Sequence, residues 1–176
     1  MTNQPPHLPT VVAVIVGYNT RHLLGNCLES LRAVRHRPFR VIYVDNASTD
    51  GPAELVQRFQ RQLDSARRVV WSSEPDGGIY EAWNRGLGLA RGRYLSFIGA
   101  DDVFLDAGGL GRIAALTAAG VDLITARNAY CGRDGRLLRH WGSPWSWRRM
   151  RQSMTIAHPG MLVRRELFER FGPFDP

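Results

Sequence analysis

SEPDGGIYEAWNRGLGLARGRYLSFIGADDVF, residues 73–104, is the stretch that decides the fold. It opens with a Pro-Asp-Gly-Gly turn, continues with apolar residues at helical spacing, and reaches Gly92, where the predicted helix stops. A short apolar strand, Tyr94 to Ile98, then delivers Asp101 and Asp102 to its carboxyl end. In an open α/β sheet, ligands bind at the edge that such strand ends form.

The adjacent acids Asp101 and Asp102 have two interpretations. Neighbouring carboxylates repel each other unless water or a cation neutralises them, which favours a divalent metal that carries a phosphorylated ligand. Alternatively, Asp102 or Asp106 caps the next predicted helix, which spans Leu110 to Leu116. The rest of the chain has to decide between a metal site and a helix cap.

Length and composition predict one globular, cytoplasmic domain. A chain of 176 residues is long enough for a sizeable core. Residues 1–10 have neither the basic nor the apolar region of a signal peptide and are predicted to form a flexible tail. No apolar run approaches the roughly 20 residues that span a bilayer. Cys27 and Cys131 lie far apart without ligand spacing, so neither a zinc site nor a disulfide is predicted.

The net charge of +7 comes entirely from arginine, since the chain has no lysine, and it favours an acidic partner. Nucleic acid is not predicted, because neither an aromatic RNA-binding motif nor a DNA-reading helix is recognisable. The segment Trp141–Arg151, WGSPWSWRRMR, places three tryptophans beside arginines, which suits a membrane interface or a lipid-phosphate acceptor. Alternatively, the tryptophans fill the core of a subdomain.

The first half of the chain repeats the alternation of strand and helix. Val11–Val16 is an apolar, β-branched run typical of a central strand buried on both faces, and a helix capped by Thr20 follows it. Phe39–Val44 is a second strand, after which Pro52 begins a helix, and Arg68–Trp71 is a third strand. This alternation predicts a mostly parallel α/β sheet with helices on both faces.

Such a sheet brings the loops 17–20, 45–51 and 99–102 to one edge. The first of them reads Gly-Tyr-Asn-Thr instead of GxGxxG, and the chain has no GxxxxGK[ST], so dehydrogenase and P-loop sites are not predicted. Asp45 suits a hydrogen bond to a base or ribose, and the acid pair suits a metal-bound diphosphate. Together they predict a nucleotide-sugar site in which a metal replaces the glycine loop.

Beyond Asp106 the predicted elements are shorter. The sequence predicts a strand over 121–126, a hairpin over 128–140 that turns at Asp134-Gly135, a strand over 161–163 and a helix over 165–171. His158 precedes the last strand and either faces the acceptor or the diphosphate or has only a structural role.

Four segments in order resemble the motifs of family 2 glycosyltransferases, particularly members that build bacterial polysaccharides. They are VVAVIVGYNT, VIYVDNASTDG, DGGIYEAWNRGLGLARGRYLSFIGADDVF and HPGMLVRRELFERFGPFD. The resemblance covers Val11 to Asp175 and implies the GT-A fold, a Rossmann-like sheet with a small acceptor-side hairpin and helix region. It divides the chain into the tail 1–10, a donor-binding half 11–105 and an acceptor-side half 106–176.

The resemblance also implies a donor site formed by Tyr18, Asn19, Asp45, Asp76, Asn84, Arg85, Asp101 and Asp102. Within it, the Tyr18 ring would lie beside the base, Asp45 would hold the base or ribose, and Arg85 would contact the diphosphate. Asp101 and Asp102 match the family's metal motif for Mg²⁺ or Mn²⁺. The family often has an acid at Gly99, so we expect Asp102 to be the direct ligand.

Three of these assignments have a structural alternative. Tyr18 could pack at the end of its strand, Asn84 could satisfy a local backbone group, and Asp76 lies in a turn that favours aspartate in any case.

The implied activity is an inverting, metal-dependent transfer of sugar from a nucleotide-diphosphate sugar to a saccharide or lipid-linked acceptor in cell-surface polysaccharide synthesis. In the family, the carboxylate base lies beyond the GPFD segment, and no acid before Pro176 matches it. We therefore expect a fragment that retains donor binding, with His158 the remaining catalytic candidate. The alternative is a non-catalytic domain that binds a nucleotide sugar, or that contacts a membrane or partner through Trp141–Arg151, peripherally at the inner face of the membrane.

Overall fold

The structure is a computed structural model that describes residues 10–63, 69–132, 134–142 and 144–176. Most of the predicted tail and Arg68 of the predicted third strand lie outside the described residues. The strands are β1 (Val11–Gly17), β2 (Phe39–Asp45), β3 (Val69–Ser73), β4 (Tyr94–Gly99), β5 (Leu123–Ile124), β6 (Asn128–Cys131), β7 (Leu137–Trp141) and β8 (Leu162–Arg164). The helices are α1 (Arg21–Ala33), α2 (Pro52–Gln62), α3 (Ile79–Leu89), α4 (Gly109–Ala115), α5 (Trp147–Met150) and α6 (Glu166–Phe171), and a 3₁₀ turn (Leu116–Ala119) extends α4.

The main sheet has six described strands in the order β3, β2, β1, β4, β8, β5. The first four are parallel, whereas β8 runs antiparallel to both of its neighbours. Strands β6 and β7 form a separate antiparallel hairpin, as the turn at residues 134–135 predicts. The predicted α/β class with a mostly parallel sheet is confirmed.

Strand β1 is the centre of the fold because both of its faces are buried. Val11, Ala13 and Ile15 belong to a core that α1 and α2 cover, and the alternate residues Val12, Val14 and Val16 belong to a second core beneath α3. A strand has a side-chain period of two, so one apolar run supplies both cores. The continuous run of branched residues at 11–16 is explained by this double burial.

Three local predictions need correction, and a fourth is decided between its two alternatives. Thr20 precedes α1, but its hydroxyl makes no capping hydrogen bond, and only its carbonyl accepts the N–H groups of Leu23 and Leu24. The strand predicted over 121–126 shrinks to β5, because its partner β8 is itself only three residues long. Asp106, not Asp102, accepts a backbone N–H where α4 begins. The tryptophans 141, 145 and 147 are exposed, so they do not fill the core of a subdomain.

No helix in the described part of the chain combines the length and the apolar character that crossing a bilayer requires.

Helix α3 lies close to β1 at Gly86, where an added Cβ would run into the side chain of Val14. We expect Gly86→Ala to lower the free energy of unfolding by about 1–3 kcal/mol, because overpacking forces the helix away from the strand. Urea denaturation measures this change.

Gly88→Ala, two residues further along the same helix, is the matched control. It is exposed and has no atom within 4 Å of an added Cβ. We expect it to raise the free energy of unfolding by up to about 1 kcal/mol through helix propensity. Equal effects of the two substitutions would contradict the close packing of α3 on β1.

Candidate functional site

Three loops meet at the carboxyl edge of the parallel strands. Gly17 at the end of β1 pairs with Asp45 at the end of β2, and Val16 pairs with Gly99 at the end of β4. Asp45 in turn pairs with Ser73 at the end of β3. The loops after these strands carry most of the predicted donor-site residues, and the register brings them side by side.

Asp45 is a hydrogen-bonding hub, and only 1% of its surface is exposed. Its carboxylate accepts the backbone N–H of Ser48 at 3.0 Å, the hydroxyl of Ser73 at 2.6 Å, the hydroxyl of Tyr43 at 3.3 Å and the hydroxyl of Ser48. Burial and the neighbouring Asp45 raise the pKa of Tyr43, so the phenol stays a donor. Asp45 thus fixes the 45–51 loop, which connects β2 to α2, and ties it to the end of β3. Its contact with a base or ribose stays a prediction.

Asn19 joins the first two loops. Its backbone has a positive φ of 51°, its N–H donates to the Ser48 hydroxyl at 2.8 Å, and its amide oxygen accepts the N–H of Thr49 at 3.0 Å. One residue earlier, the ring of Tyr18 is 61% exposed at the same edge. The structure therefore does not pack Tyr18 at the strand end and leaves its ring open to a ligand.

Asn46 holds the turn that contains Asp76, a role that sequence reasoning missed. The Asn46 amide oxygen accepts the Asp76 N–H at 2.8 Å, and its nitrogen donates to the Asp76 carbonyl at 3.5 Å. The Asp76 carboxylate accepts the N–H of Gly78 through one oxygen. Its other oxygen is buried and has no hydrogen-bond partner among the described residues. The Asp76 carboxylate thus keeps one acceptor that the described chain does not use, and its contact with a ligand stays a prediction.

Asn84 and Arg85 hold backbone in this structure. Both polar atoms of the Asn84 amide bind the backbone of Phe174, at 2.9 Å to the N–H and 2.8 Å to the carbonyl. The two terminal nitrogens of Arg85 each donate at 3.0 Å, to the carbonyls of Glu74 and Pro75. The first fastens the GPFD segment to α3, and the second fixes the loop before Asp76. Direct donor contacts by either side chain stay predictions.

The acid pair lies beside Gly99. The Asp102 carboxylate accepts the Gly99 N–H at 2.8 Å, and a carboxylate oxygen of Asp101 fills the space that a side chain at position 99 would take. Glycine at position 99 therefore leaves room for the Asp101 carboxylate, which a larger residue there would displace. No arginine pairs with either carboxylate within the described residues.

Burial and the negative charge of this pair shift the pKa values of Asp102 and of the nearby Cys27. Burial raises the pKa of Asp102, the Gly99 N–H lowers it, and Asp101 raises it again. Burial, followed by the charges of Asp102 and Asp101, raises the pKa of the buried Cys27 thiol to about 12, which makes this cysteine an unreactive core residue. A cation beside the two carboxylates would offset this repulsion.

The acid pair fits a divalent metal that shares its coordination with a ligand. Within the described residues, no group of three or more histidine, cysteine, aspartate or glutamate side chains gathers around one point. Magnesium typically binds one or two carboxylates and completes its octahedron with phosphate oxygens and water. Asp101 and Asp102 would supply the two carboxylates and leave the other coordination positions to phosphate oxygens and water.

His158 lies in an aromatic cluster and not free at the sheet edge. Its ring stacks on Trp83, with centroids 4.6 Å apart and planes 19° apart, and it contacts the rings of Phe97 and Phe174. Burial lowers the pKa of the imidazole. The contacts give His158 a structural role, and its catalytic role stays a prediction.

Because the pKa of His158 is lower in the folded chain than its ordinary value of 6.5, the unfolded chain binds more protons. We expect the free energy of unfolding to fall as the pH is lowered through about 6.5, and His158→Phe, which keeps a ring on Trp83, to reduce this slope. Urea denaturation between pH 5 and 8 measures it. The exposed His140, replaced by Asn, is the control, and an unchanged slope in His158→Phe would contradict the assignment.

Comparisons with known proteins agree with this geometry. The family model of glycosyl transferase family 2 matches residues 12–172. The PGL/p-HBAD biosynthesis glycosyltransferase of Mycobacterium tuberculosis is 30% identical over 95% of this chain, which spans 64% of that protein's length.

Two solved structures share the fold. The mannosyltransferase PcManGT from Pyrobaculum calidifontis, in complex with GDP-Man and Mn²⁺, superposes with a TM-score of 0.72 at 20% identity, over 98% of this chain and 49% of its own. TarS 1-349 from S. aureus, in complex with UDP-GlcNAc, has a TM-score of 0.74 at 21% identity, over 95% and 48%. The predicted GT-A fold is confirmed.

Proposed function

This chain belongs to glycosyl transferase family 2, and from that membership we propose that it binds a nucleotide-diphosphate sugar with a divalent metal, Mg²⁺ or Mn²⁺, at the carboxyl edge of β2, β1 and β4. One observation carries the proposal. Two carboxylates that no arginine neutralises within the described residues lie at an edge where neighbouring loops hold an exposed aromatic ring and a buried carboxylate oxygen without a hydrogen-bond partner.

The proposed role of each residue follows from which of its polar or aromatic groups the described chain leaves exposed or without a partner. Asp102 would be the direct ligand of the metal, with Asp101 beside it, and the bound ion would stabilise the departing nucleoside diphosphate. The ring of Tyr18 would stack on the base, and the free oxygen of Asp76 would accept a hydroxyl of the ribose or sugar. Asp45 would act mainly by holding the 45–51 loop in place.

We further propose inverting transfer to a saccharide or lipid-linked acceptor in cell-surface polysaccharide synthesis. The proposed location is the cytoplasm, with peripheral contact at the inner face of the membrane through Trp141–Arg151, and no nucleic acid is a partner. The name of the mycobacterial relative, which refers to PGL/p-HBAD biosynthesis, supports a glycan-building role.

The alternative is a domain that binds the donor without transferring its sugar. Incubation with a radiolabelled donor and candidate acceptors separates the two functions, because only a transferase moves the label to an acceptor.

Asp102→Asn tests the metal site with little change to the fold, because an asparagine oxygen can still accept the Gly99 N–H. For the parent chain, a nucleoside diphosphate with Mn²⁺ at about 100 times its dissociation constant should stabilise the fold by roughly 2.7 kcal/mol. We expect Asp102→Asn to lose most of this metal-dependent stabilisation. Thermal unfolding with GDP, UDP and other diphosphates, each with and without Mn²⁺, measures it.

Asp134→Asn is the matched control for the loss of one negative charge. Asp134 lies in the hairpin turn and accepts the N–H of Arg136, a bond that asparagine can also accept. This variant should keep the full stabilisation. A metal-dependent shift of the same size in Asp102→Asn would contradict the proposed metal site.

Tyr18→Ala tests the proposed base contact. Stacking of a base on an aromatic ring contributes about 1–3 kcal/mol, so we expect the dissociation constant of the preferred nucleoside diphosphate to rise by about tenfold or more. Tyr18→Phe keeps the ring and should bind nearly as the parent does. Isothermal titration measures both, and equal affinities for all three proteins would show that the ring does not contact the base.

A further inference from the structure

The hairpin of β6 and β7 has little covering from the rest of the described chain. All five residues of β7 are exposed, including Leu137, Leu138 and Trp141. A two-stranded sheet without a packed apolar face is only marginally stable in water. Exposed apolar side chains on such a hairpin therefore indicate a surface that is covered when the protein acts.

The next segment of the chain is exposed as well. Trp145 and Trp147 are 61% and 65% exposed, while Met150 of α5 packs against the small core that contains Ile156 and Met161. The turn of α5 is thus fixed on its Met150 side, while its Trp147 and the preceding Trp145 are exposed. We call residues 128–151, within the described part of the chain, the arginine–tryptophan surface.

Charge is concentrated in the same region. Residues 123–163 contain seven arginines and a single acid, Asp134, so this region carries six of the chain's seven net positive charges. On the hairpin, the guanidinium of Arg139 lies 4.8 Å from the ring centroid of Tyr130 and 5.9 Å from that of Trp141. On the hairpin, aromatic and cationic side chains therefore lie side by side.

We propose that the arginine–tryptophan surface binds an anionic lipid bilayer. Guanidinium groups bind phosphate oxygens bidentately, and tryptophan favours the boundary between headgroups and acyl chains. Leu138, Trp145 and Trp147 enter that boundary, while Arg148 and Arg149 contact lipid phosphates. The proposal rests on the peripheral membrane contact proposed above, names anionic lipid as its ligand, and does not depend on donor binding.

Two other occupants fit the surface less well. A second copy of the chain would bring two surfaces of the same charge together, which repel each other. A soluble polyanion such as RNA would match the arginines but leaves the aliphatic Leu137 and Leu138 without a partner. A bilayer satisfies both the charged and the apolar side chains.

Co-sedimentation of the full 176-residue chain with vesicles tests the proposal. We expect binding to vesicles of phosphatidylcholine mixed with phosphatidylglycerol, weak binding to phosphatidylcholine alone, and a blue shift of tryptophan fluorescence on binding. Because each arginine near an anionic surface contributes about 1 kcal/mol, Arg148→Gln/Arg149→Gln should bind about thirtyfold more weakly. Trp145→Ala/Trp147→Ala should weaken binding by about tenfold and reduce the blue shift.

The control variants remove the same groups elsewhere. Arg58→Gln/Arg61→Gln removes two exposed charges from α2, and Phe171→Ala removes a ring that is 74% exposed. Both should bind vesicles as the parent does. Asp102→Asn should also bind vesicles normally, and Trp145→Ala/Trp147→Ala should keep nucleotide binding, so failure of this proposal and failure of the donor site remain distinguishable.

Three results would overturn the proposal. Equal binding of all variants to anionic vesicles would mean that another surface is responsible. Binding to heparin or RNA without any blue shift on vesicles would assign the arginines to a soluble polyanion. Concentration-dependent dimerisation in light scattering that the tryptophan substitutions abolish, without vesicle binding, would assign the surface to a second copy of the chain.

Discussion

The parallel register of β1 with β2 and β4 is the constraint on which the candidate site depends. It sets Gly17 beside Asp45 and the end of β1 beside Gly99, so that three loops with different side chains share one edge. A slip of one residue in β2 would turn Asp45 to the opposite face of the sheet and break its bonds to Ser48 and Ser73. Strand β2 is also buried on both faces, with Val41 and Tyr43 in one core and Ile42 and Val44 in the other, so such a slip would exchange the side chains that pack in the two cores.

The polar residues at this edge separate into those that hold the backbone and those that remain free for a ligand. The first group fixes loops through hydrogen bonds inside the chain and comprises Asn19, Asp45, Asn46, Asn84 and Arg85. The second group has exposed or unpaired atoms and comprises Tyr18, Asp76, Asp101 and Asp102. Preorganisation of the first group lowers the entropy that ligand binding would otherwise cost.

Strand and helix alternation was predictable from hydrophobic period and from glycine and proline positions, because these signals are local. For Asn84, sequence reasoning offered a local backbone partner, whereas Phe174 lies 90 residues away, and it missed the contacts of Arg85 with backbone carbonyls. Every residue has a backbone carbonyl, so the sequence does not reveal which carbonyl a side chain will bind. The Thr20 cap also failed, since the hydroxyl is buried without a hydrogen-bond partner among the described residues.

The tryptophans of residues 141–151 show a second limit of sequence reasoning. Their composition is the same whether they fill a core or face a bilayer, and only their exposure in the structure separates the two. The Asp101 and Asp102 pair shows the opposite case. Its position after a buried strand was enough to place it at the carboxyl edge of the sheet, although its contact with the Gly99 N–H was not foreseen.

The most direct measurement is a crystal structure of this chain soaked with Mn²⁺ and the nucleoside diphosphate that stabilises it best, with anomalous diffraction recorded for manganese. We expect one strong anomalous peak in coordination with the Asp102 carboxylate and the diphosphate oxygens, and the base beside Tyr18. A manganese peak away from Asp101 and Asp102, or a nucleotide bound at another part of the chain, would contradict the proposed site.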